Sequence, residues 1–445
     1  MNSSNQVLVQ RLFWRLHFWS GLLTAPIVLF AALSGILYIF TPQIESIKHA
    51  HLDRANTTGV AQNLDQQIQA ATTQFNTKNL RSIVPAYREN ETTQVIFGES
   101  KKAMQGTEHT QHQAVKKITE HSTDSPTIIA YIDPASATVQ GSIAEEDRFK
   151  NWSRKLHSTM LQGDAWRWII ELGASWLLIM MITGIYLWWP RGKATWIGVL
   201  FWERGNTRNN WRYFHGITSI VLGLITLTII LTGLTWSKYA GENFRSMQKV
   251  TGQNAPRAPM TLHSTPIEGA VALSLQAIYE KAKQQVPDIQ LQITPPKGEN
   301  GVWRIENFDR SQPTKRFQLQ LDAYSGAVLY QAGWQQIPLL AQATAVGIPF
   351  HRGEFGWWNQ ALLVLVGLAV IFSVISGFVM WLQRRKALSI SAPKIESKHV
   401  RAVPWWMWLT LLGLGFALPV LGVSLGVLIL FEMAYLVRRR TMHVM

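Results

Sequence analysis

Four of the chain's 12 histidines stand at the mouths of long apolar stretches. His17 and His215 start two of these stretches, and His157 and His351 lie just ahead of two others. A small hydroxyl residue followed by glycine lies at a set distance from each. His17 precedes Ser34-Gly35, and His215 precedes Thr232-Gly233, both by 18 residues to the glycine. His157 precedes Thr183-Gly184 by 27 residues, and His351 precedes Ser376-Gly377 by 26. Two facing imidazoles flanked by glycine suit axial ligation of a haem iron. The sequence contains no Cys, which excludes thiolate zinc, iron–sulfur clusters, disulfides and covalent C-x-x-C-H haem attachment. The haem would then be held non-covalently. The pairs His17/His215 and His157/His351 would take two of them, one near each membrane face. The plainer alternative is four unrelated interfacial histidines that snorkel or bind headgroups. The pairing argues against it, because a repeat puts one histidine from each half at the same depth.

The elements that must position these residues are membrane spans. At least four tracts of 20 or more mostly apolar residues occur in the 445, each long enough for a ~30 Å hydrocarbon core, so a soluble globular enzyme is excluded. The sequence predicts a polytopic α-helical membrane protein with spans at 18–40, 166–189, 213–236 and 357–382. A further apolar tract at 405–436, with Pro419 in its middle, is either one kinked helix or a hairpin of two short ones. No span is expected to break at its midplane except near Pro26 and Pro419. The net charge of +15 gathers in 1–17, the loops 190–212 and 383–404, and the tail 437–445. By the positive-inside rule these are cytoplasmic, and a nucleic-acid reading of the basicity is unwarranted. A basic tail on the same side as a basic loop favours the hairpin.

The two long connections, 41–165 and 237–356, are near neutral and lie on the outer face, which is periplasmic in a diderm bacterium. Each reads as a small α+β domain. In the first, Leu64–Phe75 is helical, followed by strands at Leu80–Tyr87, Thr93–Phe97 and Thr127–Ile132, with a polar loop over 100–125. In the second, Ile267–Gln284 is helical and Ile289–Thr294, Val302–Asn307, Phe317–Leu321 and Ala327–Gln331 are strands. Both carry one hairpin signal, Asp133 with Val139 and Asp322 with Val328, in which the aspartate side chain opens the turn. Spans, histidines and hairpins repeat at offsets between 189 and 198 residues, the mark of a tandem, parallel duplication.

The remaining chemistry is weaker. His49, His51, His109, His112 and His121 read as solvated loop residues, with a metal-binding cluster as the alternative. His263, His399 and His443 have no partner in sequence. Glu171 follows Arg167 by one helical turn, where the two neutralise each other, with a proton-relay role as the alternative. Glu432 has no assigned role. About half of the 20 Trp sit at membrane interfaces, as aromatic belts do. Trp357 and Trp358 on the outer side also offer faces for a bulky substrate.

With Leu-His157 before Thr183-Gly184-Ile-Tyr-Leu-Trp-Trp-Pro190, and with the Asp133 and Asp322 hairpins, the chain resembles the PepSY-associated transmembrane proteins from about Arg11 to Leu436. Within them it is most similar to the iron-regulated inner-membrane type that includes ferric-siderophore reductases of Gram-negative bacteria. The resemblance implies PepSY-like periplasmic domains, b-type haem on His17, His215, His157 and His351, and a ferric siderophore as electron acceptor. Ala137, where the family's hairpin usually has glycine, and the polar insertion at 100–125 depart from the pattern.

Three classes of function fit. The first is a haem-bearing transmembrane reductase or redox carrier. The second is a non-redox PepSY-type regulatory or binding protein. The third is a transporter, which the lack of broken spans disfavours. The chain carries no flavin or nicotinamide fingerprint; Gly413-Leu-Gly415 lies in a membrane tract. A redox role therefore needs a quinol or a separate cytoplasmic reductase as donor.

Overall fold

The computed structural model describes residues 3–76, 79–98, 127–190, 207–267, 269–385 and 396–442. The polar loop 100–125 with His109, His112 and His121, residues 191–206 and 386–395 of the two basic loops, and His443 lie outside the described residues. The chain forms two compact units. One takes Met1–Phe40, Ser153–Asn254 and Leu339–Met445, and the other Thr41–Trp152 and Ala255–Pro338. The ends of both long connections, 153–165, 237–254 and 339–356, thus belong to the helical unit.

Three helices in the first unit are long and apolar enough to cross a membrane: Asn5–Ile39, Asp164–Trp188 and Trp357–Arg384. A fourth crossing is available if the bent pair Thr207–Val221 and Gly223–Leu234 is one span. The first helix begins at Ser3, so His17 lies well inside it rather than at its start. That helix runs unbroken through Pro26. The expected absence of a midplane break fails in the third span, which bends by 60° at Leu222–Gly223. A glycine in an apolar run is a kink site. Here a side chain at Gly223 would also press within 3.2 Å of Met181 on the second span. The hydroxyl of Thr226 donates to Leu222 O and satisfies a carbonyl at the bend. Other span hydroxyls do likewise, among them Thr24 to Ser20 O and Ser34 to Phe30 O, and this makes them tolerable in an apolar setting. The first helix packs along the second and fourth, the fourth along Thr207–Val221, and the second along Gly223–Leu234.

The 405–436 tract resolves into Trp405–Ala417 and Pro419–Met442. The first has 13 residues, about 20 Å at 1.5 Å per residue, which is short of a full crossing. The two pack on each other about Leu418, with Gly415 against Gly422.

Glu171 and Arg167 do not pair as expected. Arg167 donates to Trp236 O at 3.0 Å. Glu171, 1% exposed, accepts from Tyr239 N and Ala240 N, each at 2.9 Å. These are two of the free N–H groups opening the helix Tyr239–Val250, so the carboxylate caps a helix and meets its positive end. No relay role is needed to explain it.

In the second unit the two α+β segments join edge to edge in one eight-stranded antiparallel sheet of order β4-β3-β2-β1-β5-β6-β7-β8. The strands are β1 Leu80–Val84, β2 Thr93–Phe97, β3 Ile128–Asp133, β4 Thr138–Ala144, β5 Leu291–Thr294, β6 Val302–Asn307, β7 Gln318–Asp322 and β8 Val328–Ala332. β1 ends three residues early because Pro85 has no N–H for the ladder. The seam is β1 against β5, with Ile83 opposite Ile293. Ile83, Val95, Ile132, Ile293, Ile305 and Leu319 are buried on one face under the helices Leu64–Phe75 and Leu275–Gln285. The second of these helices starts at Leu275 rather than 267. Gly269 sits at φ 76, and Ser274 caps the helix by accepting from Ala277 N. The two helices also cap each other: Asp65 accepts from Leu275 N, and Gln276 Oε1 accepts from Leu64 N.

Both hairpins form as the sequence predicts. Asp133 accepts from the backbone of Ala135 and Ser136 and from Thr57, and Asp322 accepts from Tyr324, Ser325 and Thr265. Burial pushes both carboxyls up, and these hydrogen bonds together more than offset it, so both pKa values lie below the usual aspartate value.

Candidate functional site

The helical unit brings the four histidines together in the expected pairs, and each imidazole is oriented by a helix other than its own. Nδ1 of His17 meets Thr183 Oγ1 at 2.9 Å, and Nδ1 of His157 meets Ser34 Oγ at 2.9 Å. Nδ1 of His215 meets Ser376 Oγ at 2.8 Å, and Nδ1 of His351 meets Thr232 Oγ1 at 3.2 Å and Ile229 O at 3.0 Å. The Ser/Thr-Gly pairs noted in the sequence are the partners of these rings. Spacing along the chain does not reveal this polar role.

A count of hydrogens fixes the imidazole tautomer. A hydroxyl carries one hydrogen. Ser34 gives its hydrogen to Phe30 O at 2.7 Å, Thr183 to Ile179 O at 2.8 Å, Thr232 to Thr228 O at 2.8 Å and Ser376 to Ser373 O at 3.2 Å. An oxygen whose hydrogen is given to its own helix accepts from the ring, which assigns the ring proton to Nδ1. For His351 the carbonyl of Ile229 requires the same. Nε2 is left with its lone pair free on all four rings, the tautomer and orientation that a metal-ligating histidine needs.

The glycine of each pair lies beside the ring it serves. A Cβ would stand 3.3 Å from His17 Cε1 at Gly184, 3.4 Å from His157 Cε1 at Gly35, 3.0 Å from His351 Cε1 at Gly233 and 3.8 Å from His215 Cε1 at Gly377. The helices must come this close for the hydroxyls to reach the rings.

His17 and His215 stand with ring centres 6.4 Å apart and planes at 89°. Two imidazoles on opposite sides of one metal, with bonds near 2 Å, put their ring centres on the order of 6 Å apart. Both rings line a cavity of about 860 Å³ that Gly21, Gly184, Gly216 and Gly377 also border. That volume suits a cofactor-sized, mostly apolar guest. Arg11, Arg208, Arg212 and Arg384 border it, and among the described residues no Asp or Glu does. His157 and His351 are close enough for their charges to interact. Their hydroxyl partners Ser34 and Thr232 lie in the last turns of the first and third spans. From His17 to Ser34 the first helix rises about 25 Å at 1.5 Å per residue, so the two pairs occupy opposite ends of the bundle.

Trp358 packs with Phe350 and Phe355, ring centres 6.5 Å apart in both cases, beside His351 in the chain. Trp357 is 79% exposed. His49 is buried in the other unit, not solvated as the sequence suggested, with its Nε2 unpaired. Among the described residues no cluster of three or more His, Cys, Asp or Glu could hold a bare metal ion.

Apolar spans joined to an antiparallel sheet define a multi-pass membrane protein with a β-containing domain. The chain belongs to the family of the PepSY-associated TM region, whose model matches residues 14–384. No curated protein matches it. The resemblance read from the His157 and Thr183-Gly184 motifs is thereby borne out at the level of the family.

Proposed function

We propose that this protein is a haem-containing reductase of the bacterial inner membrane, built by tandem duplication. It would pass electrons from a quinol or a cytoplasmic reductase to a ferric siderophore in the periplasm. One observation carries the reading: two pairs of histidines, one at each end of the bundle, every ring held at Nδ1 by a hydroxyl from another helix and every Nε2 free. His17 and His215 would hold one haem b, and His157 and His351 the other. Bis-imidazole haem supplies one-electron exchange at a saturated iron with no open position for O₂.

The chain's own residues do the rest. Thr183, Ser376, Ser34 and Thr232 keep the rings from turning. Their hydrogen bonds raise ligand basicity, as acceptors behind a ligating histidine do. The apolar walls, with Leu22, Val28, Leu177 and Val370 around the first pair, suit the apolar body of a flat guest. The substrate iron, once reduced from ferric to ferrous, is bound far more weakly by hard oxygen donors. One electron per iron thus releases it without breaking a bond in the siderophore. Trp357 and Trp358 offer aromatic faces for a bulky complex.

Absorption spectra of the purified full chain test this. Two haem b per chain, reducible by dithionite and reoxidised by a ferric siderophore with ferrous iron trapped by a chelator, are the expected result. A colourless protein would favour the non-redox PepSY-type binding role. Reduced haem that a dye oxidises and ferric siderophores leave unchanged would make it a carrier for another periplasmic acceptor.

A further inference from the structure

The cavity beside His17 and His215 has a charge that the histidines do not explain. Among the described residues it is bordered by four arginines and no acid. Three of them, Arg11, Arg208 and Arg212, stand exposed at its mouth. Arg384, at the end of the fourth span, is half-buried and differs from the others. Its guanidinium carbon lies 4.7 Å from the centre of the Trp14 ring and 4.9 Å from that of Phe18, so two aromatic faces hold it. Its Nε is buried without a hydrogen-bond partner. A buried, unpaired guanidinium nitrogen is costly, and in a folded protein it marks a missing acceptor. A planar fork of donors fixed in place is built for a carboxylate or phosphate.

Apolar walls and a cationic rim together describe a flat amphipathic guest with an anionic edge. On the reading that a haem lies between His17 and His215, which this inference rests on, we infer that Arg384 holds a haem propionate carboxylate. The cofactor's acidic edge then faces the end of the bundle where the fourth span finishes. Arg11, Arg208 and Arg212 add a diffuse positive field at the mouth, and Arg384 supplies the directed contact. A lipid phosphate has the same chemistry as the carboxylate, and the test separates the two.

The full-length protein would be loaded with haem b or with haem b dimethyl ester, and haem loss to excess apomyoglobin followed. A charge-assisted hydrogen bond contributes enough to change binding about tenfold to a hundredfold. In the unmodified chain the ester should leave the His17/His215 site at least tenfold faster than haem b. Arg384→Gln should speed loss of haem b from that site by a similar factor and leave ester loss unchanged. The haem at His157/His351 should depart at its usual rate in both chains, which reports that the variant is folded. Equal loss of ester and haem b from the unmodified chain would overturn the inference and leave the anion to be a lipid phosphate or none. That arm needs no variant to fold. A chain that binds no haem at His17 and His215 at all fails the functional reading itself, and the spectrum shows this before any exchange is measured.

Discussion

The two halves of the chain use the same four contacts with different tightness. In the first half the glycines stand almost equally close to their rings, 3.3 Å at Gly184 and 3.4 Å at Gly35. In the second half the same places differ, 3.0 Å at Gly233 and 3.8 Å at Gly377. His351 also gains a second acceptor in Ile229 O, at 3.0 Å. The second half carries the 60° bend at Leu222, while the first helix runs unbroken through Pro26. What survives these differences is the donor and acceptor pattern: hydroxyl hydrogen to its own helix, Nδ1 proton to the hydroxyl. Packing can drift by several tenths of an ångström without changing which ring nitrogen is free. Tautomer is the property that ligand chemistry depends on, and here it is the property held constant.

The largest expected effect tests whether the halves really share sites. His17→Ala and His215→Ala should each remove one haem per chain, and it should be the same haem, identified by its midpoint potential. His157→Ala and His351→Ala should each remove the other. Haem content by pyridine haemochrome and a redox titration read both. Loss of different haems from His17→Ala and His215→Ala would show that the halves do not pair across, whatever the ring separation.

Gly233→Ala against Gly377→Ala sharpens the contrast within the second half. A methyl at Gly233 would sit 3.0 Å from His351 Cε1, and that ring is pinned by two acceptors and cannot yield easily. Overpacking of this kind costs about 1–3 kcal/mol. At Gly377 the distance is 3.8 Å, ordinary contact, and the change should be nearly silent. Thermal unfolding and the low-spin EPR signal of the haem at His157/His351 would show the difference. Equal effects of the two variants would mean that the tight approach at Gly233 has no consequence for the ring.

Much of this arrangement was legible in the sequence, because its signals are local. Long apolar runs give the spans, and the two aspartate hairpins carry their own turn chemistry. The family motifs His157 and Thr183-Gly184 lie in one stretch. The partnership of each ring with a hydroxyl on another helix was not legible, because it depends on which spans pack together and at what rotation. The pairing of β1 with β5 is hidden for the same reason: it joins segments about 200 residues apart through one matched pair, Ile83 and Ile293. The bend in the third span had one signal, Gly223 in an apolar run, and glycine in a span more often marks close packing than a break. Arg384 was counted for topology, and nothing in its neighbours pointed to Trp14 or the cavity.

A smaller effect is expected at the hydroxyls. Ser376→Ala removes the side-chain acceptor facing Nδ1 of His215 and leaves that ring only the backbone of Ser373, whereas Thr232→Val leaves His351 with Ile229 O at 3.0 Å. Loss of a partner behind a metal-ligating histidine typically costs 10- to 100-fold in affinity. Ser376→Ala should weaken haem binding at its site about tenfold and raise its midpoint potential, since a less basic imidazole favours the ferric state less. Thr232→Val should move both by less. The reverse order, measured by redox titration and haem transfer, would place the weight on the hydroxyl itself and none on the carbonyl.

The smallest effect carries the comparison into the sheet unit. The two hairpins share their aspartate, and they differ at the residue that turns the chain back. Gly326 has φ 68 and Ala137 has φ 52, both left-handed. Glycine adopts this region freely, whereas a residue with a Cβ is held there at a cost of roughly 1–2 kcal/mol. Ala137→Gly relieves that strain and gives back about 0.5–1 kcal/mol through the greater freedom of the unfolded chain. The net gain is about 0–1.5 kcal/mol, a rise of a few degrees at most in the melting of this unit. The converse change, Gly326→Ala, adds the strain. It also drives a methyl towards Leu273 Cδ1 at 2.9 Å and into Lys281, whose flexible side chain can move aside. It should lower the same transition by more than Ala137→Gly raises it. Differential scanning of the full chain in detergent reads both shifts. If Ala137→Gly lowered the transition, the turn at 137 would be held by its side chain, and the two hairpins would share a shape without sharing its cause.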